Sequence, residues 1–186
     1  MAIGQGSVLV TPLQLSNGYA VVANGGTLYR PQIVDRIEPP EGDPIVMEPD
    51  VQHEAPMPPH VRDPLHDGLV GVTAGGTASG AFAGFPLDTW PVAGETGTGE
   101  FEHRANTATF VSYGPADDPQ YSMSVVMEES DFGGSAAAPV ARSLYDILAH
   151  NAPVVDEPLG DDPLVPEVDE EDDESGLVEV DGPVVD

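Results

Sequence analysis

Apolar residues fall into a helical period at three places along the chain. Leu15, Tyr19 and Val22 recur at i, i+4 and i+7, which sets them on one face of an α-helix. The residues before them carry a start signal. Thr11 can cap, Pro12 suits the first helical position and Gln14 stands third, the capping-box arrangement, with Val10 and Leu15 spaced as a hydrophobic staple. Asn24-Gly25-Gly26 ends the pattern, because glycine takes the left-handed conformation that closes a helix. A second helix is expected from Asp63 and Pro64, read as cap and first position. Leu65, Leu69 and Val72 would share its face, and Gly75-Gly76 would stop it. A third helix is expected from Pro139, with Val140, Leu144, Ile147 and Leu148 as its apolar stripe.

Other stretches suit strands. Thr27-Leu28-Tyr29 reads as a short extended segment before Pro31. Val92–Thr98 is a small apolar strand, and Thr107–Tyr113 is β-branched and aromatic. Tyr121–Glu128 alternates, with Tyr121, Met123, Val125 and Met127 on one face; the methionines are read as core. The turn Pro115-Ala116-Asp117-Asp118-Pro119 joins the last two as an antiparallel hairpin. Residues 38–60 hold seven prolines among acids and read as a loop or insertion outside the core. The expected fold class is α+β, an antiparallel sheet flanked by helices.

Composition adds a boundary. Residues 1–150 hold 19 acids and all five arginines, a net of −14; residues 151–186 hold 14 acids and no base, also −14. The second stretch has no aromatic residue and repeated prolines, so it is expected to be a disordered acidic tail. The division is therefore 1–150 as the folded unit and 151–186 as the tail. The acidity suits a saline setting or plain solubility, and it disfavours nucleic acid and anionic membrane surfaces, whose binding needs basic residues. No apolar run approaches the length of a membrane span, and Met1–Gly6 lacks the features of an export signal, so neither is expected on this chain. There is no cysteine, which excludes disulfides, thiolate zinc sites and a thiol nucleophile.

Single chemistry-bearing residues give little. His60, Asp63, His66 and Asp67 could be drawn as a metal cluster, but the two histidines are six apart and Pro64 lies between, so surface polar residues are the preferred reading. Glu128, Glu129 and Asp131 read as an acidic loop after a strand. Ser130 and Ser135 have no nearby base and read as loop residues. The glycine pairs 75–76 and 133–134 read as helix ends and turns, without a phosphate-binding context.

Longer segments carry more. AIGQGSVLVTPLQLSNGYAVVANGGTLYRP, GLVGVTAGGTASGAF, VAGETGTGE, TFVSYGPADDPQYSMSVVMEE and GGSAAAPVARSLYDIL follow one another through residues 2–149. In this order they resemble class B penicillin-binding proteins, the serine D,D-transpeptidases of peptidoglycan synthesis, with the elongation-type branch nearer on the Gly-Gln-Gly turn. The resemblance implies a transpeptidase fold of the penicillin-binding-protein and β-lactamase kind. It implies peptidoglycan stem peptides and β-lactams as ligands, a membrane glycosyltransferase as a partner, and work on the extracytoplasmic face of the cytoplasmic membrane. No metal or cofactor is expected. The family uses Ser-x-x-Lys, Ser-x-Asn and Lys-Thr-Gly. By resemblance, the hydroxyls of Thr96 and Thr98 hold a carboxylate, Gly97 lets ligand backbone approach, and the Thr98 N–H is an oxyanion donor.

Two departures matter. The chain has no lysine, so Ser-x-x-Lys cannot occur, and no Ser-x-Asn motif is found. The resemblance places nucleophile and base upstream of Gly-Gln-Gly, which makes this chain the C-terminal part of such a domain. Three of about five sheet strands are then expected, with an edge that needs the missing N-terminal half. The second departure is Glu95, which replaces the family's lysine and inverts its charge. It would repel a carboxylate, and a buried Glu95 would favour a neutral acid that still lacks positive charge. The expectation is a D,D-transpeptidase fragment with no catalytic residues of its own and no activity alone. The alternative is a non-catalytic remnant that binds or scaffolds in cell-wall synthesis.

Overall fold

The structure is a computed structural model that describes residues 8–100 and 104–150; the expected tail beyond 150 lies outside the described residues. Helix α1 runs Pro12–Ala23 with the expected capping box. The Gln14 N–H donates to Thr11 Oγ1 at 3.2 Å, and the Thr11 N–H donates back to Gln14 Oε1 at 2.9 Å. Tyr19 and Val22 pack inward from its apolar face.

Strand β1 (Thr27–Tyr29) is the expected extended segment, and it pairs antiparallel with β4 (Val51–Glu54), a strand inside the proline-rich stretch that periodicity did not show. A second short ladder joins β2 (Arg36–Ile37) to β3 (Ile45–Val46). Strands β2, β3 and β4 are exposed throughout, so no buried face imposes an alternation on them. The loop expected over 38–60 is thus corrected to a pair of small ladders outside the core.

Helix α2 spans Pro59–Ala74, not a start at Asp63. Pro58 is extended at the cap, and the N–H groups of Val61 and Arg62 close on its carbonyl. Pro64 therefore sits inside the helix, where it removes one N–H donor. Farther along, Leu69 is buried, and Thr73 Oγ1 donates to the Val92 carbonyl at 2.6 Å, which ties the helix to the sheet. Gly75 caps the end.

The main sheet has the order β5-β6-β7, from β5 (Ala93–Gly99), β6 (Asn106–Gly114) and β7 (Tyr121–Ser130), all antiparallel. Its pleat divides the core. Ala108 and Phe110 join Phe82, Phe85 and Tyr145 on one face, with Met123, Val125 and Met127 packed against them. Ala93 and Tyr113 meet Leu69, Tyr19 and Val22 on the other. Among the described residues β5 and β7 each lack a strand on their outer side.

Helix α3 runs Ala137–His150, starting two residues before the expected Pro139, and corrects most of the expected stripe. Ala137, Ala138, Ala141 and Tyr145 are buried; of the stripe, Leu148 packs against the core, whereas Val140, Leu144 and Ile147 are 43%, 45% and 56% exposed. Small alanines let the helix lie close to the sheet. There the Tyr145 hydroxyl reaches Ser112 Oγ at 3.0 Å with both residues fully buried.

Candidate functional site

Edge strand β5 sets the site. Its register pairs Glu95 with Val111, Thr96 with Phe110, Gly97 with Thr109 and Thr98 with Ala108. Alternation along a strand sends Glu95 and Gly97 to one face and Thr96 and Thr98 to the other. The two threonines are half-buried and line a groove of about 690 Å³. Thr77 stands on the same wall, and Phe132, Ser135 and Pro139 line it from the loop before α3 and from α3 itself.

Close packing holds this arrangement. On the face away from the groove, a Cβ on Gly97 would fall 2.2 Å from the side-chain Oγ1 of Thr109. A Cβ on Gly133 would fall 2.3 Å from the Thr109 carbonyl oxygen and 2.7 Å from that of Gly97. Only hydrogen fits, so the loop lies directly on β5 and β6. From there the Gly133 N–H reaches Thr98 Oγ1 at 3.5 Å, and Thr77 Oγ1 lies 2.8 Å from Thr96 Oγ1.

Glu95 is exposed rather than buried, and it is not among the residues that line the groove. Its neighbours are on the α1 side. Burial pushes the Tyr19 phenol up to about 12, and the charge of Glu95, then Tyr113, adds to the rise. Burial likewise raises Tyr113, against the opposing charge of Arg62.

The remaining candidates are spread over the surface. Asp63, His66 and Asp67 line a separate cavity of about 180 Å³ with Arg62 and Asp117, and His66 Nδ1 lies 3.0 Å from the Tyr113 hydroxyl. His60 is exposed and outside it. No group of three or more His, Cys, Asp or Glu among the described residues is placed to hold a metal ion. Glu128, Glu129 and Ser130 belong to β7, which runs on past the expected strand end, and only Asp131 follows it. Ser135 donates to the Phe132 carbonyl at 3.2 Å. No spacing along the sequence pointed to Thr77, Phe132 or the groove side of Ser135; the signals were the places of Thr77 and Ser135 in segments of family resemblance.

Comparison with known proteins agrees with this geometry. The family model described as penicillin binding protein transpeptidase domain matches residues 1–146. The peptidoglycan D,D-transpeptidase PbpA of Mycolicibacterium smegmatis is 32% identical over 76% of this chain and 30% of its own length. The peptidoglycan D,D-transpeptidase MrdA of Haemophilus influenzae is 30% identical over 78% of this chain and 25% of its own length. The solved imipenem acyl-enzyme complex of penicillin-binding protein A from M. tuberculosis superposes with a TM-score of 0.64 at 28% identity, covering 78% of this chain and 32% of that one. The chain thus spans about a third or less of the length of these relatives. With Thr-Gly-Thr on the strand that ends the sheet among the described residues, beside a groove, and a family model matched over residues 1–146, the chain belongs to the penicillin-binding protein transpeptidase-domain family.

Proposed function

We propose that this chain supplies the ligand-binding strand of a peptidoglycan D,D-transpeptidase and carries neither the nucleophile nor its base. The observation that carries the reading is the edge position of β5, with Thr96 and Thr98 opening onto the groove. An extended peptide can pair with such an edge through its main chain. The Thr96 and Thr98 hydroxyls would bind the terminal carboxylate of a stem peptide or β-lactam, and the Thr98 N–H would face the developing oxyanion.

The reaction served is acyl transfer. A serine oxygen attacks the penultimate carbonyl of the stem peptide, the amide bond breaks, and D-alanine leaves with the proton. An amine of a neighbouring strand then takes the acyl group from the serine, closing the cross-link on the extracytoplasmic side. The serine and its lysine would come from a part of the domain outside these 186 residues, since no lysine is present here. Intact-mass analysis after incubation with penicillin tests this. Unchanged mass is expected, and a stable adduct on the chain overturns the reading.

Glu95 favours a second reading, a binding or scaffolding role without acyl transfer, because it places a negative charge where the family's chemistry uses a positive one. If the complete domain acylates with penicillin despite Glu95, this second reading fails.

A further inference from the structure

We infer that Thr77 is a positioning residue for the groove, its hydroxyl fixing the rotamer in which Thr96 meets a ligand. The inference rests on the reading of Thr96 as a carboxylate-binding hydroxyl. The two Oγ1 atoms lie 2.8 Å apart across 19 residues of sequence. A threonine hydroxyl has one proton to give and two lone pairs to accept with. A Thr96 that gives its proton to a carboxylate can keep Thr77 only as a donor. The Thr77 proton then points at Thr96 Oγ1, and the resulting polarisation strengthens the bond from Thr96 to the ligand.

Packing holds both partners. Thr77 sits just beyond α2, beside fully buried Ala78. Its carbonyl oxygen lies 2.2 Å from the point where a Cβ on Gly134 would stand, so the turn is pressed beneath the 133–134 loop. Thr96 Cγ2 lies 3.9 Å from that same point. The methyl of Thr96 therefore faces the loop and its hydroxyl faces Thr77. Methyl and hydroxyl are close in size, so sterics alone discriminates weakly between this rotamer and one that exchanges them. The hydrogen bond to Thr77 decides it.

The test uses the full 186-residue chain with Thr77→Val, which keeps shape and removes the hydroxyl, and Thr77→Ser, which keeps the hydroxyl. Thr77 is exposed, so neither change opens the core. Three-bond couplings report the Thr96 χ1 angle in the ligand-free protein. A single rotamer is expected in the parent and in Thr77→Ser, and averaging in Thr77→Val; a single unchanged rotamer in Thr77→Val overturns the inference. Titration with N-acetyl-D-alanyl-D-alanine adds a second readout. Loss of one hydrogen bond should weaken binding by Thr77→Val about fivefold, with Thr77→Ser close to the parent. Equal affinity of Thr77→Val and the parent also overturns it. Failure of the parent itself to bind refutes the carboxylate reading of β5, while the couplings still decide the role of Thr77.

Discussion

Gly133→Ala is the sharpest probe of how the groove is built. Gly133 is buried, and an added Cβ would stand 2.3 Å from the Thr109 carbonyl oxygen, 2.7 Å from the Gly97 carbonyl oxygen and 2.9 Å from the Gly97 nitrogen. All three are main-chain atoms of paired strands, so none can rotate away. The loop must lift off the sheet by roughly 1 Å to restore ordinary contact. That movement strains the Gly133 N–H bond to Thr98 and the bonds from Ala137 and Ala138 N–H to the Gly133 carbonyl, at 3.1 and 2.8 Å, which start α3. Overpacking of this kind costs about 1–3 kcal/mol, and a rigid wall on three sides points to the upper part of that range. With a urea slope of about 2 kcal/mol/M, a loss of about 2 kcal/mol lowers the unfolding midpoint by about 1 M. Gly68→Ala is the matched control, because nothing lies within 4 Å of its added Cβ in the interior of α2. It should gain about 0.5–1 kcal/mol. A Gly133→Ala midpoint equal to that of the parent, with Gly68→Ala raised, would refute the packing of the loop on β5 and β6.

Other outcomes follow from the core and from α1. Tyr145→Phe leaves the buried Ser112 hydroxyl without its 3.0 Å partner and should cost about 1–3 kcal/mol; adding Ser112→Ala should recover much of that in urea unfolding. Tyr19 has its folded pKa raised from 10.0 to about 12, so its contribution to stability is complete below pH 10 and is lost as pH rises toward 12. Tyr19→Phe should flatten that part of the stability profile, whereas an unchanged profile would count against the half-buried site of the phenol near Glu95.

Helix α1 was legible because its signals are local. Thr11, Pro12 and Gln14 decide its start within one turn, whatever packs around them. Helix α2 was harder, since Pro59 and Pro64 can each stand at a first helical position, and the helix starts at the earlier one with Pro58 extended at the cap. On α3 the larger apolar side chains suggested a stripe, but the face that packs is Ala137, Ala138, Ala141 and Tyr145. Alanine adds little to a hydrophobic pattern, yet it allows a close approach to the sheet. The exposed strands β2, β3 and β4 have no buried side to imprint a period. At the site, β5 was readable as a strand with a family motif. Thr77 and Phe132 reach the groove only through the turn after α2 and the loop onto α3, contacts that no spacing along the chain encodes.

On the proposed function, Thr96-Gly97-Thr98 binds a carboxylate and Glu95 weakens this binding by its charge. Glu95 lies on the face of β5 opposite Thr96 and Thr98 and outside the groove, so its charge reaches a ligand there only through water. Charges about 10 Å apart interact by about 0.4 kcal/mol in water, and Glu95→Lys changes the sign as well as removing the repulsion. The gain is then about 0.8 kcal/mol, or roughly fourfold in affinity. The direct measurement is the dissociation constant of N-acetyl-D-alanyl-D-alanine, at low salt, for the parent and for Glu95→Lys, read from the amide resonances of residues 96–98. Tighter binding by Glu95→Lys, with a gain that shrinks as salt is added, is the predicted result. Equal or weaker binding by Glu95→Lys would contradict the claim.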